Sequence, residues 1–326
     1  MTELKKVGVL TSGGDAPGMN AAIRSTVRAC IYYGIEPVVI HEGYKGLIDG
    51  QMEVANARTV ANIINQGGTF LKSARCQEFR TKEGRAKAFE NARKAELDAL
   101  VVIGGDGSFT GAMLLEEEHG LPCIGVPGTI DNDIYGTDYT IGYDTALNTV
   151  VDAIDKIRDT ATSHNRLFFI EVMGRDAGFI ALNTGIAAGA EDILIPEQET
   201  QMGKLMSSLE GSGRAGKTSS IIVVSEGDKS GGVFELSRQV EEQFPEYEVK
   251  VTVLGHIQRG GRPSCSDRVL ASRLGVAAVE ALRTGESGIM VGVRDQQVVK
   301  TPLERAISKQ NQIDNSLVKV AEIVSV

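Results

Sequence analysis

The chain has 326 residues, of which 42% are hydrophobic and 24% charged, and its formal net charge is −9. This length allows one large or two ordinary domains with well-formed cores. An acidic chain without a basic block is not expected to bind nucleic acid. No apolar run is long enough to cross a membrane, and the first residues lack the apolar core of a signal peptide. We therefore expect a cytoplasmic protein.

Short apolar runs alternate with helical patterns along most of the chain. Eight runs are predicted strands: Val7–Leu10, Pro37–Ile40, Ala99–Ile103, Cys123–Val126, Leu167–Val172, Ile193–Ile195, Ser220–Val224 and Lys250–Leu254. Because these runs are continuous rather than alternating, they favour parallel sheets covered on both faces. A helix is predicted from Asp144, as its cap, to Ile157. The pattern predicts an α/β fold of two doubly wound, three-layer α/β/α domains with mainly parallel sheets, in which ligands bind at the carboxyl ends of the strands.

The first predicted strand ends in Thr11-Ser12-Gly13-Gly14-Asp15-Ala16-Pro17. Gly13 and Gly14 allow a tight turn whose N–H groups can face a phosphate, and Pro17 suits the first turn of the next helix. The segment matches neither the Walker A pattern nor GxGxxG. By itself it is equally consistent with an ordinary strand-to-helix turn.

A second strand ends in Gly104-Gly105-Asp106-Gly107-Ser108, where a glycine pair again follows the strand and a carboxylate comes directly after it. Asp106 is a candidate Mg²⁺ ligand, since Mg²⁺ takes one or two protein carboxylates together with phosphate oxygens and water. An Asx turn is the structural alternative.

Asp131 and Asp133 follow the next predicted strand, two residues apart. One suits the role of base for a hydroxyl group and the other that of a metal ligand. The alternative is a solvated acidic turn. The neighbouring Thr129 and the Asp106 loop upstream favour a site for phosphoryl transfer.

Polar clusters also follow later strands. They contain Arg166, Arg175, Arg259 and His256. Arginine side chains hold phosphate through forked, charge-assisted hydrogen bonds. A single arginine is more often a surface or ion-pair residue, so the interpretation depends on the whole set.

Together these segments resemble ATP-dependent 6-phosphofructokinase of the bacterial type, from about Lys6 to beyond Arg283. The motifs, in chain order, are TSGGDAPGMNAAIR, GGTFLKSAR, VVIGGDGS, GVPGTIDNDI, GTDYTIGYDTAL, EVMGRDAG and VLGHIQRGG. The resemblance implies a two-domain kinase of glycolysis, usually a homotetramer, that phosphorylates fructose 6-phosphate at its 1-hydroxyl with MgATP. It places an ATP-binding domain at residues 1–142 plus 260–305, and a fructose-6-phosphate-binding domain at 143–259 plus 306–326.

The resemblance also implies roles for individual residues. Nucleotide contacts are expected from Gly14, Tyr44, Arg75, Cys76, Asp106, Gly107, Ser108 and Gly111. Asp106 and Asp133 are the implied Mg²⁺ ligands, and Asp131 is the implied base, acting with Thr129, Arg175 and Gly14. Sugar-phosphate contacts are expected from Thr129, Asp131, Asp133, Met173, Gly174, Arg175, Glu226, His256 and Arg259, joined by Arg166 and Lys250 of a neighbouring subunit.

Several positions differ from those of pyrophosphate-dependent relatives or from the usual pattern of the family. Pyrophosphate-dependent relatives carry Asp at the position of Gly107 and Lys at that of Gly128, so we expect ATP as the donor. Lys250 replaces an arginine of the family, which predicts weaker binding of the sugar phosphate. The positions that match the family's effector site are Arg24, Arg28, Arg158, Glu191 and Lys217, whereas Ala57, Asn62, Ala215 and Ser219 replace effector contacts. We expect weak or altered allosteric control by ADP or phosphoenolpyruvate.

Three other functions compete with this interpretation. Lipid and NAD kinases share a GGDG-type loop but lack the GHIQRGG and MGRDAG segments. A catalytically inactive nucleotide-sensing subunit would lack one of the carboxylates, yet Asp106, Asp131 and Asp133 are all present. A pyrophosphate-dependent kinase is the nearest alternative, and Gly107 and Gly128 argue against it.

Overall fold

A computed structural model of the chain describes residues 4–161, 166–198, 203, 205–206, 219–229, 231–245 and 247–325. Through these residues the chain divides into two compact units. Unit 1 comprises Met1–Ile130, Ile134–Thr145 and Arg259–Asn311, and unit 2 comprises Asp131–Asp133, Ala146–Gln258 and Gln312–Val326.

Unit 1 contains a seven-stranded sheet in the order β11-β10-β5-β4-β1-β2-β3. The strands are β1 Lys6–Thr11, β2 Glu36–Ile40, β3 Met52–Val54, β4 Ala99–Gly104, β5 Cys123–Pro127, β10 Ile289–Arg294 and β11 Gln297–Pro302. The five inner strands pair in parallel, and the edge strands β3 and β11 are antiparallel to their neighbours. The central strand β4 is buried throughout, as its continuous apolar sequence predicts.

Helices lie on both faces of this sheet. They are α1 Met19–Tyr32, α2 Gly43–Asp49, α3 Lys82–Lys94, α4 Asp106–His119, α8 Cys265–Arg283 and α9 Leu303–Ser308. Leu100 and Val102 of β4 belong to a core with residues of α2, α3 and α4, including Phe109. Because side chains alternate along a strand, Val101 and Ile103 face the opposite side, where α1 and α8 contact β4.

Unit 2 contains a four-stranded parallel sheet in the order β7-β8-β6-β9. The strands are β6 Arg166–Val172, β7 Asp192–Leu194, β8 Ser219–Ser225 and β9 Glu248–Val253, and the helices are α6 Phe179–Ala187, α7 Val233–Gln243 and α10 Asn315–Val324. Leu167, Phe169 and Ile222 share a core with Leu236 and Val240 of α7.

The helix α5, Tyr143–Ala161, begins in unit 1 and continues into unit 2. Val150 and Ile154 of its predicted apolar face are buried. The predicted cap is wrong by two residues, because the helix already begins at Tyr143 and Asp144 lies in its first turn. Similarly, α1 begins at Met19, so Pro17 lies in the preceding turn rather than in the helix. None of the described helices is long and apolar enough to span a membrane.

The eight predicted strands are confirmed, with ends that differ by at most two residues from those of β1, β2 and β4–β9. The α/β class with mainly parallel sheets is likewise confirmed. The inner strand β10 and the edge strands β3 and β11 were not predicted.

Candidate active site

The loop after β1 is tightly held. Gly13 has a φ of 87°, a left-handed conformation that favours glycine, and its carbonyl oxygen accepts a hydrogen bond from Ser73 Oγ at 2.9 Å. A Cβ at Gly14 would lie 2.7 Å from Nη1 of Arg259. The same nitrogen donates to the carbonyl oxygen of Asp15 at 3.2 Å. The backbone of Gly14 therefore lies directly against a positive charge.

A second glycine-rich turn joins β4 to α4 and contacts the first. At Gly104 a Cβ would lie 2.5 Å from both the carbonyl oxygen of Ser12 and Oγ of Ser108. Gly105 caps the helix and Asp106, which is exposed, is its first residue. The N-terminal N–H groups of a helix attract anions, so the adjacent loops suit the phosphates of a nucleotide.

Next to this turn lies a stacked aromatic pair. The rings of Tyr44 and Phe79 are 3.9 Å apart between centroids with an interplanar angle of 12°. Tyr44 donates its hydroxyl to the carbonyl oxygen of Ser108 at 2.5 Å. A Cβ at Gly111 would lie 2.9 Å from each ring, and Cys76 packs on the same core. Seven of the eight predicted nucleotide contacts, all except Arg75, thus lie at or next to the ends of β1 and β4.

Arg75 and Gly107 lie at the surface of unit 1, and both are exposed. Gly107 follows Asp106 in α4, and a Cβ there would meet no described atom within 4 Å. A larger side chain at position 107 would therefore extend into open space beside the Asp106 turn.

The end of β5 lies at the same sheet edge as the Asp106 turn, because β5 pairs in parallel with β4. The N–H of Gly128 donates to the carbonyl oxygen of Gly104 at 2.9 Å. Thr129 is buried, and its carbonyl oxygen accepts a hydrogen bond from Thr140 Oγ1 at 2.7 Å. This fixes the segment that leads into Asp131.

Asp131 forms an ion pair inside unit 2. Its Oδ2 lies 3.3 Å from Nε of Arg175, and the aspartate side chain is 2% exposed whereas the arginine side chain is 53% exposed. A buried carboxylate needs such a partner to offset its loss of hydration. Asp133 is half-buried in the same segment. The structure thus brings the predicted base together with a predicted substrate-binding arginine.

The loop Met173–Arg175 after β6 has an unusual backbone. Gly174 has a φ of 147° and Arg175 a φ of 52°, a conformation that strains a non-glycine residue. Glu226 Oε1 accepts hydrogen bonds from the N–H groups of Gly174 at 3.2 Å and Arg175 at 2.8 Å. The N–H of Met173 donates to Gln258 Oε1 at 2.9 Å. These residues converge at the carboxyl ends of β6, β8 and β9.

A 3₁₀ helix, Gly255–Arg259, follows β9. His256 is exposed on it, and Arg259 is partly buried. Both remain predicted phosphate ligands. Arg259 carries the contact to the Gly14 loop described above.

Arg166 and Lys250 lie elsewhere in unit 2. Glu248 accepts a hydrogen bond from Arg166 Nε at 2.9 Å and pairs with Lys250 Nζ at 2.8 Å. The hydrogen bonds from Lys250 and Arg166 lower the pKa of Glu248 to about 2. Arg166 begins β6 and Met173 follows its end, so roughly 20 Å of strand separates them. The structure therefore does not bring Arg166 and Met173 together within one chain.

The predicted effector residues come from both units. Arg24 and Arg28 lie one turn apart on α1, and burial, together with the charge of Arg28, lowers the pKa of Arg24. Arg158 Nη2 donates to the carbonyl oxygen of Ala188 at 2.6 Å. The buried carboxylate of Glu191 accepts from the N–H of Ile221. Lys217 lies outside the described residues.

The carboxylates fit the predicted cation. Asp106 and Asp133 offer hard oxygen ligands, the type that Mg²⁺ prefers. Among the described residues no three His, Cys, Asp or Glu side chains form a preformed metal cluster. Asp106 of unit 1 and Asp133 of unit 2 each remain a predicted Mg²⁺ ligand.

Two residues of this region were missed in the sequence. Gln258 lies inside the GHIQRGG segment but is fully buried. Glu248 and Lys250 are two residues apart on β9, and this spacing places both side chains on the same face of the strand. That spacing was a usable signal, whereas the contact of Gln258 with Met173 joins residues far apart in the chain.

The chain is similar to known proteins along nearly its whole length. Residues 6–282 match the family model described as Phosphofructokinase. ATP-dependent 6-phosphofructokinase 2 of Bacteroides thetaiotaomicron is 52% identical over 326 residues, which is 100% of both chains. ATP-dependent 6-phosphofructokinase 1 of Thermus thermophilus is 56% identical over 322 residues, covering 99% of this chain and 100% of that protein. The chain belongs to the phosphofructokinase family.

Solved structures give the same fold. The phosphofructokinase of Saccharomyces cerevisiae matches with a TM-score of 0.86 and 36% identity, covering 98% of this chain and 47% of the yeast chain. The pyrophosphate-dependent phosphofructokinase of Marinobacter aquaeolei matches with a TM-score of 0.83 at 23% identity, covering 96% of this chain and 86% of that one. At that identity the second match shows the fold alone.

Proposed function

We propose that this chain is an ATP-dependent 6-phosphofructokinase, which transfers a phosphoryl group from ATP to the 1-hydroxyl of fructose 6-phosphate. The observation that carries the proposal is the buried Asp131 paired with Arg175 at 3.3 Å, directly after a strand whose neighbour ends in the Asp106 turn. The curated relatives named above are similar over their full length. The product, fructose 1,6-bisphosphate, places the enzyme in glycolysis.

In the proposed reaction Asp131 accepts the proton of the 1-hydroxyl. The oxygen forms a bond to the γ-phosphorus while the bond to the β-phosphate oxygen breaks, so ADP leaves. Arg175, Thr129 and the N–H of Gly14 would neutralise the charge that develops on the transferring group.

Unit 1 would bind the nucleotide and unit 2 the sugar phosphate. The Gly14 and Asp106 turns would hold the phosphates, and Tyr44 with Gly111 would border the base. Mg²⁺, which neutralises phosphate charge when bound, would be held by Asp106 and Asp133. The open space at Gly107 favours ATP over pyrophosphate, because ATP carries an additional phosphate and a nucleoside beyond the two phosphates that correspond to pyrophosphate.

We further propose a homotetramer. Arg166 begins β6 and Lys250 lies in the middle of β9, whereas the Met173 loop follows the carboxyl end of β6, so their predicted contact with the 6-phosphate favours a neighbouring subunit. The substrates are cytoplasmic metabolites, which favours a cytoplasmic location. Effector control by ADP is proposed to be weak, since Glu191 is already occupied by a backbone N–H.

The first experiment compares donors with the purified protein, fructose 6-phosphate and Mg²⁺. We expect turnover with ATP and none with pyrophosphate. Asp131→Ser should lower kcat by at least about 10²-fold, the usual contribution of a general base. Asp152→Ser, which changes an exposed aspartate of α5, is the matched control. Turnover with pyrophosphate alone, or full activity of Asp131→Ser, would refute the proposal.

A further inference from the structure

Gln258 is fully buried although its neighbours reach the surface. It is 0% exposed, while His256 and Ile257 of the same 3₁₀ helix are exposed. A buried side-chain amide is costly unless its donors and acceptor are bonded. Its burial also means that it does not present its amide to solvent as a surface ligand would.

The amide has a defined orientation. Gln258 Oε1 accepts the N–H of Met173 at 2.9 Å. The reversed amide would direct its NH₂ donors at this N–H, so the orientation follows from the bond itself. The hydrogen bond ties the helix that carries His256 to the loop after β6.

The loop at the other end of this bond needs support. Its residues Gly174 and Arg175 both have positive φ values, and strained segments persist only when surrounding contacts fix them. Three consecutive N–H groups of this loop are held by two side chains, Glu226 and Gln258. Of the two, Gln258 is the one that connects the loop to another proposed phosphate-binding element.

Part of the amide is not used by the fold. Gln258 Nε2 is buried and has no hydrogen-bond partner among the described residues. The same holds for Ser225 Oγ, which would lie 4.0 Å from a Cβ at Gly174. Buried donors without partners are rare and reduce stability. Stability alone would thus favour an apolar residue of the same size at position 258.

We propose that Gln258 is a positioning residue for the sugar phosphate. It sets the Met173–Arg175 loop relative to His256, so that both elements meet the same ligand. This inference depends on the proposed function, because it assigns the loop and His256 to one substrate. Gln258 itself acts through Met173 and does not touch the reacting atoms.

The test is the variant Gln258→Met, which keeps the size of the side chain but removes the acceptor. We expect KM for fructose 6-phosphate to rise at least tenfold, with kcat within threefold and KM for ATP within twofold of wild type. The melting temperature should change little, because the lost bond is offset by removal of the unmatched Nε2. Gln243→Met, an exposed change at the end of α7, is the matched control and should leave all values unchanged.

Gln258→Asn provides a second variant, since it keeps the amide but withdraws it by one methylene. We expect the same selective rise in KM. Equal rises in both KM values, unchanged KM values, or failure of both variants to fold would overturn the positioning role. Turnover by the wild type tests the proposed function separately. If wild-type turnover were missing, calorimetric titration with fructose 6-phosphate would still compare wild type with Gln258→Met.

Discussion

Arg175 Nε lies 3.3 Å from Asp131 Oδ2, and this contact joins a buried carboxylate to an arginine that is half exposed. The pair is asymmetric: Asp131 has given up its hydration, whereas much of the guanidinium still faces solvent. Arginine carries several donors in a planar fork, so one edge can stay on Asp131 while another meets a ligand. Arg175 therefore has a structural role and a proposed role in substrate binding at the same time.

Arg175→Leu is expected to impair both roles. We expect kcat to fall by at least about 10²-fold, because a cation near the transferring group is lost. The free energy of unfolding should fall by about 1–3 kcal/mol, since the buried carboxylate of Asp131 loses its ion pair with Arg175. Steady-state kinetics and urea denaturation measure the two effects.

The control for this prediction is Arg238→Leu on α7. Arg238 is 58% exposed and pairs with Glu235 and Glu242, so its loss should cost at most about 1 kcal/mol and leave kcat unchanged. Asp131→Asn combined with Arg175→Leu should destabilise less than the sum of the single changes. An additive double variant would show that the two side chains are not energetically coupled.

Gly107→Asp tests the choice of phosphoryl donor. A Cβ at Gly107 meets no described atom within 4 Å, so the variant should fold with an unchanged melting temperature. Its carboxylate would repel the phosphates of ATP, and we expect KM for ATP to rise at least about tenfold, which equals 1.4 kcal/mol. Gly107→Ala adds volume without charge and should raise KM far less. If both variants raised KM equally, size rather than charge would decide the effect.

The sequence was most informative where buried strands run into glycines and carboxylates. Strand β4 is apolar on both faces and ends in Gly104, so its place in a parallel sheet and the turn at Asp106 follow from local pattern. The hairpin of β10 and β11 was not predicted, because its turn lacks the usual glycine. Asp295 and Gln296 adopt φ values of 48° and 63° there, which such a two-residue turn requires.

In the candidate site, the sequence predicted individual residues but not the contacts that support them. Motifs identify residues that lie close together in the chain, such as Asp131 and Asp133. The support of Met173 by Gln258 and the neutralisation of Arg166 by Glu248 depend on contacts between distant segments. The partners lie 85 and 82 residues apart in the chain, so no local pattern pairs them.

Glu248→Gln is expected to increase affinity for the sugar phosphate. The carboxylate of Glu248 now neutralises both Arg166 and Lys250, and its removal would leave these cations available for a phosphate. We expect KM for fructose 6-phosphate to fall about two- to fivefold at low salt, an effect that added salt should reduce. Glu242→Gln, which changes an exposed glutamate paired with Arg238, is the control. A KM that did not change would mean that these cations do not contact the 6-phosphate.

Lys250→Arg tests the same group of residues by changing a cation instead of the carboxylate of Glu248. Arginine restores a two-pronged grip on phosphate that lysine lacks. We expect a lower KM for fructose 6-phosphate, with kcat and KM for ATP unchanged. An unchanged KM for the sugar phosphate would show that position 250 does not touch it.

Asp267 provides a pH-dependent test of the fold of unit 1. It is 1% exposed. Its Oδ1 accepts the N–H of Gly142 at 2.8 Å, and its Oδ2 accepts the N–H of Thr145 at 2.8 Å and the hydroxyl of Thr145 at 2.5 Å. Burial raises the pKa of Asp267, although these hydrogen bonds act in the opposite direction. The carboxyl group therefore loses its proton at a higher pH in the folded protein than in the unfolded chain.

The sign of the pH effect follows from this shift. As pH rises from the ordinary pKa of 3.8 towards the raised value, the unfolded chain releases the proton first, so stability falls. Asp267→Asn lacks the titrating group. The free energy of unfolding of wild type minus that of Asp267→Asn should therefore decrease as pH rises through this window, measured by urea denaturation at a series of pH values. Asp152→Asn on α5 gives the surface reference. A difference that grew with pH would mean that the hydrogen bonds from Gly142 and Thr145 outweigh the cost of burial.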